Sequence, residues 1–157
     1  MSGTRLDIGG GTKKTAAPGH INIDLTDDAD IKWDLNKGLP RGSDPKIAPI
    51  WNEPIEGIRC HQVLEHLTEV IPLMNDCFKV LKPGGIMEIS VPLAGTDPFW
   101  QDPTHKRGFI LRTFDYFCDD PTTADAREEY GITAKFERVW DLLEHGWNLQ
   151  VHLRKPE

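Results

Sequence analysis

Short apolar runs, each halted by glycine, proline or a cluster of small and acidic residues, set the limits on what this chain can become. They occupy residues 5–8, 20–25, 31–34, 57–61, 85–92, 135–143 and 147–153. Runs this short, rich in branched residues, are strands rather than helices. Between the fourth and fifth, Val70, Ile71, Met74, Cys77, Phe78 and Leu81 fall at helical spacing and predict one amphipathic helix. Pro72 then sits in its first turn, where a missing N–H costs little, with Thr68 as N-cap. Lys82-Pro83-Gly84-Gly85 ends it. The last two runs flank Glu144-His145-Gly146 and read as a terminal antiparallel hairpin. Residues 36–56 hold four prolines and no periodicity, a long loop with at most one short helix.

Strands interleaved with connections predict a layered α/β fold in a single domain over residues 1–157. With 38 % apolar residues, such a chain can bury about two-thirds of the surface its unfolded form exposes. The joints are short: residues 12–19 connect the first two strands and 26–30 the next two, whereas a parallel crossover takes a dozen or more. Either the helices after strands 1 and 2 are reduced to turns, or those strands are misassigned.

A net charge of −7 argues against non-specific nucleic-acid binding, which draws on clustered Lys and Arg. The N-terminus shows no basic and apolar leader, and no run could span a bilayer, so a soluble cytoplasmic protein with no membrane partner is expected. Cys60, Cys77 and Cys118 are odd in number and widely spaced, suggesting neither a disulfide framework nor a zinc site.

Three strand ends carry the chemistry. The first runs into Asp7-Ile8-Gly9-Gly10-Gly11, small residues where a backbone turns tightly and approaches a ligand. Asn22-Ile23-Asp24-Leu25 puts at the second an acid that can accept bonds from ribose hydroxyls. Lys32-Trp33-Asp34-Leu35 supplies a third, suited to an adenine amino group. Each has an ordinary alternative, a ligand-free glycine turn or a solvated strand-end acid.

The three are followed in order by Cys60-His61-Gln62-Val63-Leu64-Glu65-His66 and Val80-Leu81-Lys82-Pro83-Gly84-Gly85. With these segments the chain resembles class I S-adenosylmethionine-dependent methyltransferases, particularly compact ones in which "vLEHL" precedes "vLKPGG" and a strand ending in "vP". The resemblance covers roughly residues 5–120. It implies a Rossmann-like sheet, mostly parallel with a C-terminal antiparallel hairpin, and S-adenosylmethionine as cofactor. Asp7, Gly9 and Gly11 match the loop around the cofactor's methionine part, and Gly10 stands where relatives often carry cysteine or serine. Asp24, with Leu25 beside it, matches the ribose acid, Asp34 and Leu35 the adenine side. His61 and Gln62 match the end of the fourth strand, facing the methyl group. Because the first crossover is so short, Lys13 or Lys14 is expected, from charge alone, to hold the cofactor's carboxylate.

Gln101-Asp102-Pro103-Thr104-His105-Lys106 and Thr113-Phe114-Asp115-Tyr116-Phe117 resemble the "DPTH … tF…F" segment of small methyltransferase-like proteins, many of phage origin. His105 is the first choice for a general base, against the alternative of a histidine that only bonds its own loop. His66, Trp100 and Asp102 are placed on the substrate side, while Trp140 and Trp147 read as packing residues.

His61, Glu65 and His66 are spaced one residue longer than the H-x-x-E-H zinc motif, and His66 would not share a helical face with His61, so no metal is expected. Neither an Asn/Asp-Pro-Pro-aromatic motif nor a Pro-Cys nucleophile is present, which disfavours amino and C5 methylation of nucleobases. A small molecule, sugar or nucleotide accepting at O or N is favoured. The rivals are a non-catalytic cofactor-binding or partner-activating subunit, with homo-oligomerisation open, and a nicotinamide-binding Rossmann protein. Thr12 to Thr15 lack the last glycine the nicotinamide fingerprint requires.

Overall fold

Parallel strands buried on both faces read as continuous apolar runs, yet here they alternate. In Leu6-Asp7-Ile8, Ile58-Arg59-Cys60-His61 and Met87-Glu88-Ile89 every second side chain is apolar. The computed structural model, which describes residues 3–157, shows why. A single seven-stranded sheet has β1 (Thr4–Ile8), β2 (Ile21–Asp24), β3 (Ile31–Lys32), β4 (Ile55–His61), β5 (Leu81–Pro92), β6 (Glu137–Glu144) and β7 (Asn148–Arg154) in the order β3-β2-β1-β4-β5-β7-β6. The first five are mutually parallel, and β7 runs antiparallel to both β5 and β6. This is the expected α/β sheet with its terminal hairpin.

One face carries the core. Leu6, Ile8, Ile58, Cys60, Met87, Ile89, Val151 and Leu153 pack in one cluster with Leu73, Met74 and Cys77 of α2 (Ile71–Val80), Ile50 of α1 (Ala48–Asn52), and Phe109, Phe114 and Phe136. At about 25 cal/mol per Å² of apolar surface, each fully buried Leu or Ile contributes roughly 1.5–3 kcal/mol before entropy is counted. The opposite face is polar. Paired registers put Asn22, Asp7, Arg59, Glu88, His152 and Trp140 in one row across six strands. Residues 12–19 and 26–30 are turns, as the short joints implied, and no helix follows β1 or β2; Asn22 and Asp7 are nonetheless buried, while Glu88 and Trp140 stay exposed.

Pro72 lies in the first turn of α2 as expected, but Thr68 does not cap it; Val70 is the N-cap and makes no side-chain cap bond. The Thr68 N–H instead donates to Asn36 Oδ1 at 2.8 Å. Two α-helices lie in the stretch between the fifth and sixth strands, for which the sequence indicates no element: α3 (Asp97–Trp100) and α4 (Ala124–Tyr130), with a 3₁₀ segment, Leu111–Phe117, between them. No helix among the described residues is long and apolar enough to cross a membrane.

Candidate functional site

The C-terminal ends of β1, β2, β4 and β5 meet at one edge of the sheet, where the glycine loop begins. Gly9 and Gly11 adopt φ of 70° and 71°, a region costly for other residues. A Cβ at Gly9 would stand 2.3 Å from Val63 Cγ2, and one at Gly10 2.6 Å from Asp7 Oδ2. Cysteine or serine at Gly10 therefore does not fit this chain, because Asp7 fills the space.

Asp7 is fully buried and works from beneath the loop. Its Oδ2 accepts from the Ala17 N–H at 2.7 Å, and Arg59 Nη1 donates to both its oxygens at 3.0 and 3.1 Å. Asp24 accepts from the Gly11 N–H and the Thr26 N–H, each at 3.0 Å. Asp34 caps the turn at Leu35–Lys37, accepting from the Asn36 N–H and side-chain amide, bonds that hold its carboxyl below the usual range.

Three cavities adjoin along this edge. The first, about 300 Å³, is lined by Asp24, Leu25, Trp33, Asp34, Leu35 and Val63 among others, two acids around an apolar slot. The second, about 520 Å³, holds Gly9, Gly10, Gly11, Arg59, His61 and Trp147. Burial and the nearby Arg59 keep the His61 imidazole below its ordinary pKa. The third, about 340 Å³, is lined by Glu65, His66, Pro92, Asp102, His105 and Trp147. Gln62 borders all three. It takes φ of 56°, and its amide Nε2 donates to Ser90 Oγ at 2.9 Å and Asn148 Oδ1 at 3.1 Å, which fixes it at the junction.

Most of the sequence-predicted residues thus line three neighbouring cavities that share Gln62, with three differences. Lys13 is exposed, its N–H bonded to Asp28, and the cation bordering the second cavity is Arg59. Trp100 is 71 % exposed, edge-on to Phe99, and borders none of the three; Trp147, read as packing, borders two. Asp7 sits under the loop rather than in a cavity wall. Trp147 reaches the site because β7 pairs with β5, placing Asn148 opposite Pro92 and letting the Leu93 N–H donate to the Trp147 carbonyl at 2.6 Å.

The third cavity concentrates the unusual chemistry. Glu65 is 0 % exposed, and neither carboxylate oxygen has a hydrogen-bond partner. Burial pushes its pKa up to about 7. Beside it, the His66 and His105 rings meet edge to face at 4.8 Å between centroids. Burial, then the neighbouring His105, hold the His66 imidazole below its ordinary pKa. The loop carrying His105 is fastened to this turn by the Lys106 N–H, which donates to the Glu65 carbonyl at 2.7 Å, and by Arg107, which donates to the Leu67 and Thr68 carbonyls.

No protein-family model and no curated protein sequence matches this chain. Solved structures do. An S-adenosylmethionine-dependent methyltransferase from Archaeoglobus fulgidus superposes with a TM-score of 0.58 at 17 % identity, over 97 % of this chain and 86 % of its own. The 1,6-didemethyltoxoflavin-N1-methyltransferase of Burkholderia thailandensis, solved with 1,6-didemethyltoxoflavin and S-adenosylhomocysteine bound, gives 0.57 at 15 % identity, over 99 % and 72 %. A chain of the Haloferax volcanii complex that contains the Trm112 methyltransferase activator gives 0.60 at 11 %, over 99 % and 83 %. These likenesses establish a class I methyltransferase fold.

Proposed function

We propose that this chain binds S-adenosylmethionine across the first two cavities and transfers its methyl group to an oxygen or nitrogen acceptor held in the third. The observation that carries this is that three cavities share Gln62 in their walls, at the strand ends where the shared fold collects its loops. The adenine fits the slot of Trp33 and Leu35 with Asp34 at its amino edge. The ribose hydroxyls meet Asp24. The methionine part lies over Gly9 to Gly11, where its carboxylate faces Arg59 and not Lys13. The sulfonium then comes next to Gln62, with its methyl toward the third cavity.

Methyl transfer from a sulfonium is an in-line displacement that neutralises the leaving sulfur, so alignment supplies much of the catalysis. An O–H or N–H acceptor must also lose a proton. His105 Nδ1 donates to the Phe99 carbonyl at 2.6 Å, which turns Nε2 into the cavity as the available proton acceptor. His66 and Asp102 border the acceptor. A cavity of about 340 Å³ suits a small molecule, a sugar or a single nucleotide.

A second reading, a subunit active only with a partner, is favoured by the sheet's uncovered polar face and is compatible with the activator-containing neighbour. Calorimetry with S-adenosylmethionine, S-adenosylhomocysteine and NAD tests the main proposal: the first two bind and NAD does not. Binding of NAD alone would overturn it. An acceptor screen, with and without candidate activators, then separates a free-standing enzyme from a dependent subunit.

A further inference from the structure

We infer that Glu65, His66 and His105 form a binding site for a divalent transition-metal ion at the acceptor end of the cavity system. One ligand atom from each lies within 4.8 Å of the others. The spacing of His61, Glu65 and His66 leads to no metal being expected; the fold brings His105, not His61, to Glu65 and His66.

Three observations converge. First, the Glu65 carboxylate is wholly buried and both oxygens lack a partner. A carboxylate in that position is costly unless something positive meets it. Second, both imidazoles are turned by their other nitrogen. His105 Nδ1 donates to the Phe99 carbonyl, so Nε2 carries the lone pair. Thr104 Oγ1 gives its proton to Asp102 Oδ1 at 2.7 Å and therefore accepts from His66 Nδ1 at 2.9 Å, which leaves the His66 lone pair on Nε2 as well. Tying Nδ1–H to a carbonyl, or to a hydroxyl backed by a carboxylate, is how proteins orient metal-binding histidines. Third, these Nε2 atoms point at charge: His66 Nε2 is 3.9 Å from Glu65 Oε1, and His105 Nε2 is 3.7 Å from Asp102 Oδ2.

Two imidazoles and one carboxylate with a position left open form the donor set of catalytic zinc sites, and they suit cobalt and manganese better than magnesium or calcium. Around an ion at roughly 2.0–2.1 Å from each ligand, donor atoms lie about 3.3 Å apart. Binding therefore draws the three together by up to about an ångström and a half, relative to their 4.8 Å limit. The His66 side chain, 36 % exposed, has room for that movement.

The site stands on its own geometry; its role rests on the methyltransferase reading. The open position faces the third cavity, where a hydroxyl oxygen of the acceptor would complete the coordination. A metal-bound hydroxyl gives up its proton near neutral pH. That proton passes to solvent, the oxygen forms a bond to the methyl carbon, and the carbon–sulfur bond breaks with its electron pair retained by sulfur. The cofactor leaves as the neutral thioether, S-adenosylhomocysteine. This assigns the acceptor to the hydroxyl class; His105 serves as proton acceptor only in the metal-free protein, and with the ion bound its Nε2 lone pair holds the metal.

The test is titration of chelator-stripped full-length protein with cobalt(II), followed by its visible absorption and by competition with zinc. One equivalent should bind, giving the intense bands of a low-coordinate ion and raising the melting temperature. Glu65→Gln and His105→Ala should weaken binding at least about tenfold, and Thr104→Val, which keeps all three ligands, by about tenfold or more. His152→Ala, on the far face of the sheet, should not change it. Circular dichroism melts of each variant separate lost binding from lost folding. No binding of cobalt(II) or zinc, binding of magnesium alone, or unchanged affinity in a folded Glu65→Gln or Thr104→Val variant would overturn the proposal. Calorimetry with S-adenosylmethionine on the same samples keeps the two readings apart. Cofactor binding without metal binding removes the metal site alone, and metal binding without cofactor binding removes the methyltransferase alone.

Discussion

Two fully buried carboxylates stand near the strand ends, one beneath the glycine loop and one in the wall of the third cavity, and the fold treats them oppositely. Asp7, beneath the glycine loop, is met by the Ala17 N–H and the Arg59 guanidinium. Glu65, in the third cavity, has no hydrogen-bond partner for its carboxylate among the described residues. The same contrast runs through their surroundings. Around Asp7 the acids Asp24 and Asp34 already accept backbone N–H bonds, so that end is organised before any ligand arrives. Around Glu65 burial favours the protonated acid, with a pKa of about 7, and His66 Nε2 stands 3.9 Å from its Oε1. The difference separates a satisfied scaffold from a site left short of partners, which is what the proposed metal site requires.

Replacing each acid shows whether the contrast is real. Asp7→Ala should have the largest effect. Breaking a buried pair costs about 3–5 kcal/mol, and since Arg59 is partly exposed the low end applies, a melting temperature lower by roughly 6–12 °C in calorimetry. A drop of only a degree or so would mean that Asp7 is no scaffold.

Asp24→Ala tests the same end through the ligand. Losing charge-assisted bonds to the ribose, about 1.5–3 kcal/mol, should weaken S-adenosylmethionine roughly 10- to 100-fold while the protein stays folded. Unchanged affinity in titration calorimetry would remove Asp24 from the cofactor site.

Glu65→Gln should act in the opposite sense to Asp7→Ala. Removing an uncompensated buried charge should raise the melting temperature of the metal-free protein by about 2–4 °C, around 1 kcal/mol, and leave cofactor affinity within about twofold. A marked loss of stability would show that Glu65 is structural and erase the contrast.

The smallest effect is expected at Trp100. As an exposed side chain outside the cavities, its replacement by alanine should change stability by no more than about 0.5 kcal/mol and leave turnover intact, whereas Trp147→Ala should impair turnover. Equal losses from both would return Trp100 to the acceptor wall.

Much of this was legible in the chain. The strands announced themselves by alternation and by the glycines and prolines that stop them, and the acids at positions 24 and 34 followed because a strand end is a local feature. The uncovered sheet face was legible too. The alternation in Ile58-Arg59-Cys60 and Met87-Glu88-Ile89 marks strands with one side at least partly open, whereas Leu6-Asp7-Ile8 is buried on both sides because Asp7 is paired beneath the glycine loop. Helix α4 left no such trace: Ala-Asp-Ala-Arg-Glu-Glu-Tyr has no apolar stripe, Arg127 is its only buried residue, and Gly131 in the left-handed region ends it.

By itself, then, the sequence determined the element types, the glycine loop and the order of the strand-end acids, because backbone period and turn chemistry act over a few residues. Only the tertiary structure decided which distant groups meet. Trp147 reaches the second and third cavities through the register of β7 on β5, and Arg59 reaches Asp7 through that of β4 on β1. His105 joins Glu65 and His66 because the bonds from Lys106 and Arg107 to the carbonyls of Glu65, Leu67 and Thr68 fix the path of its loop. Long-range register and loop docking are settled by the packing of the whole chain, and no local spacing encodes them.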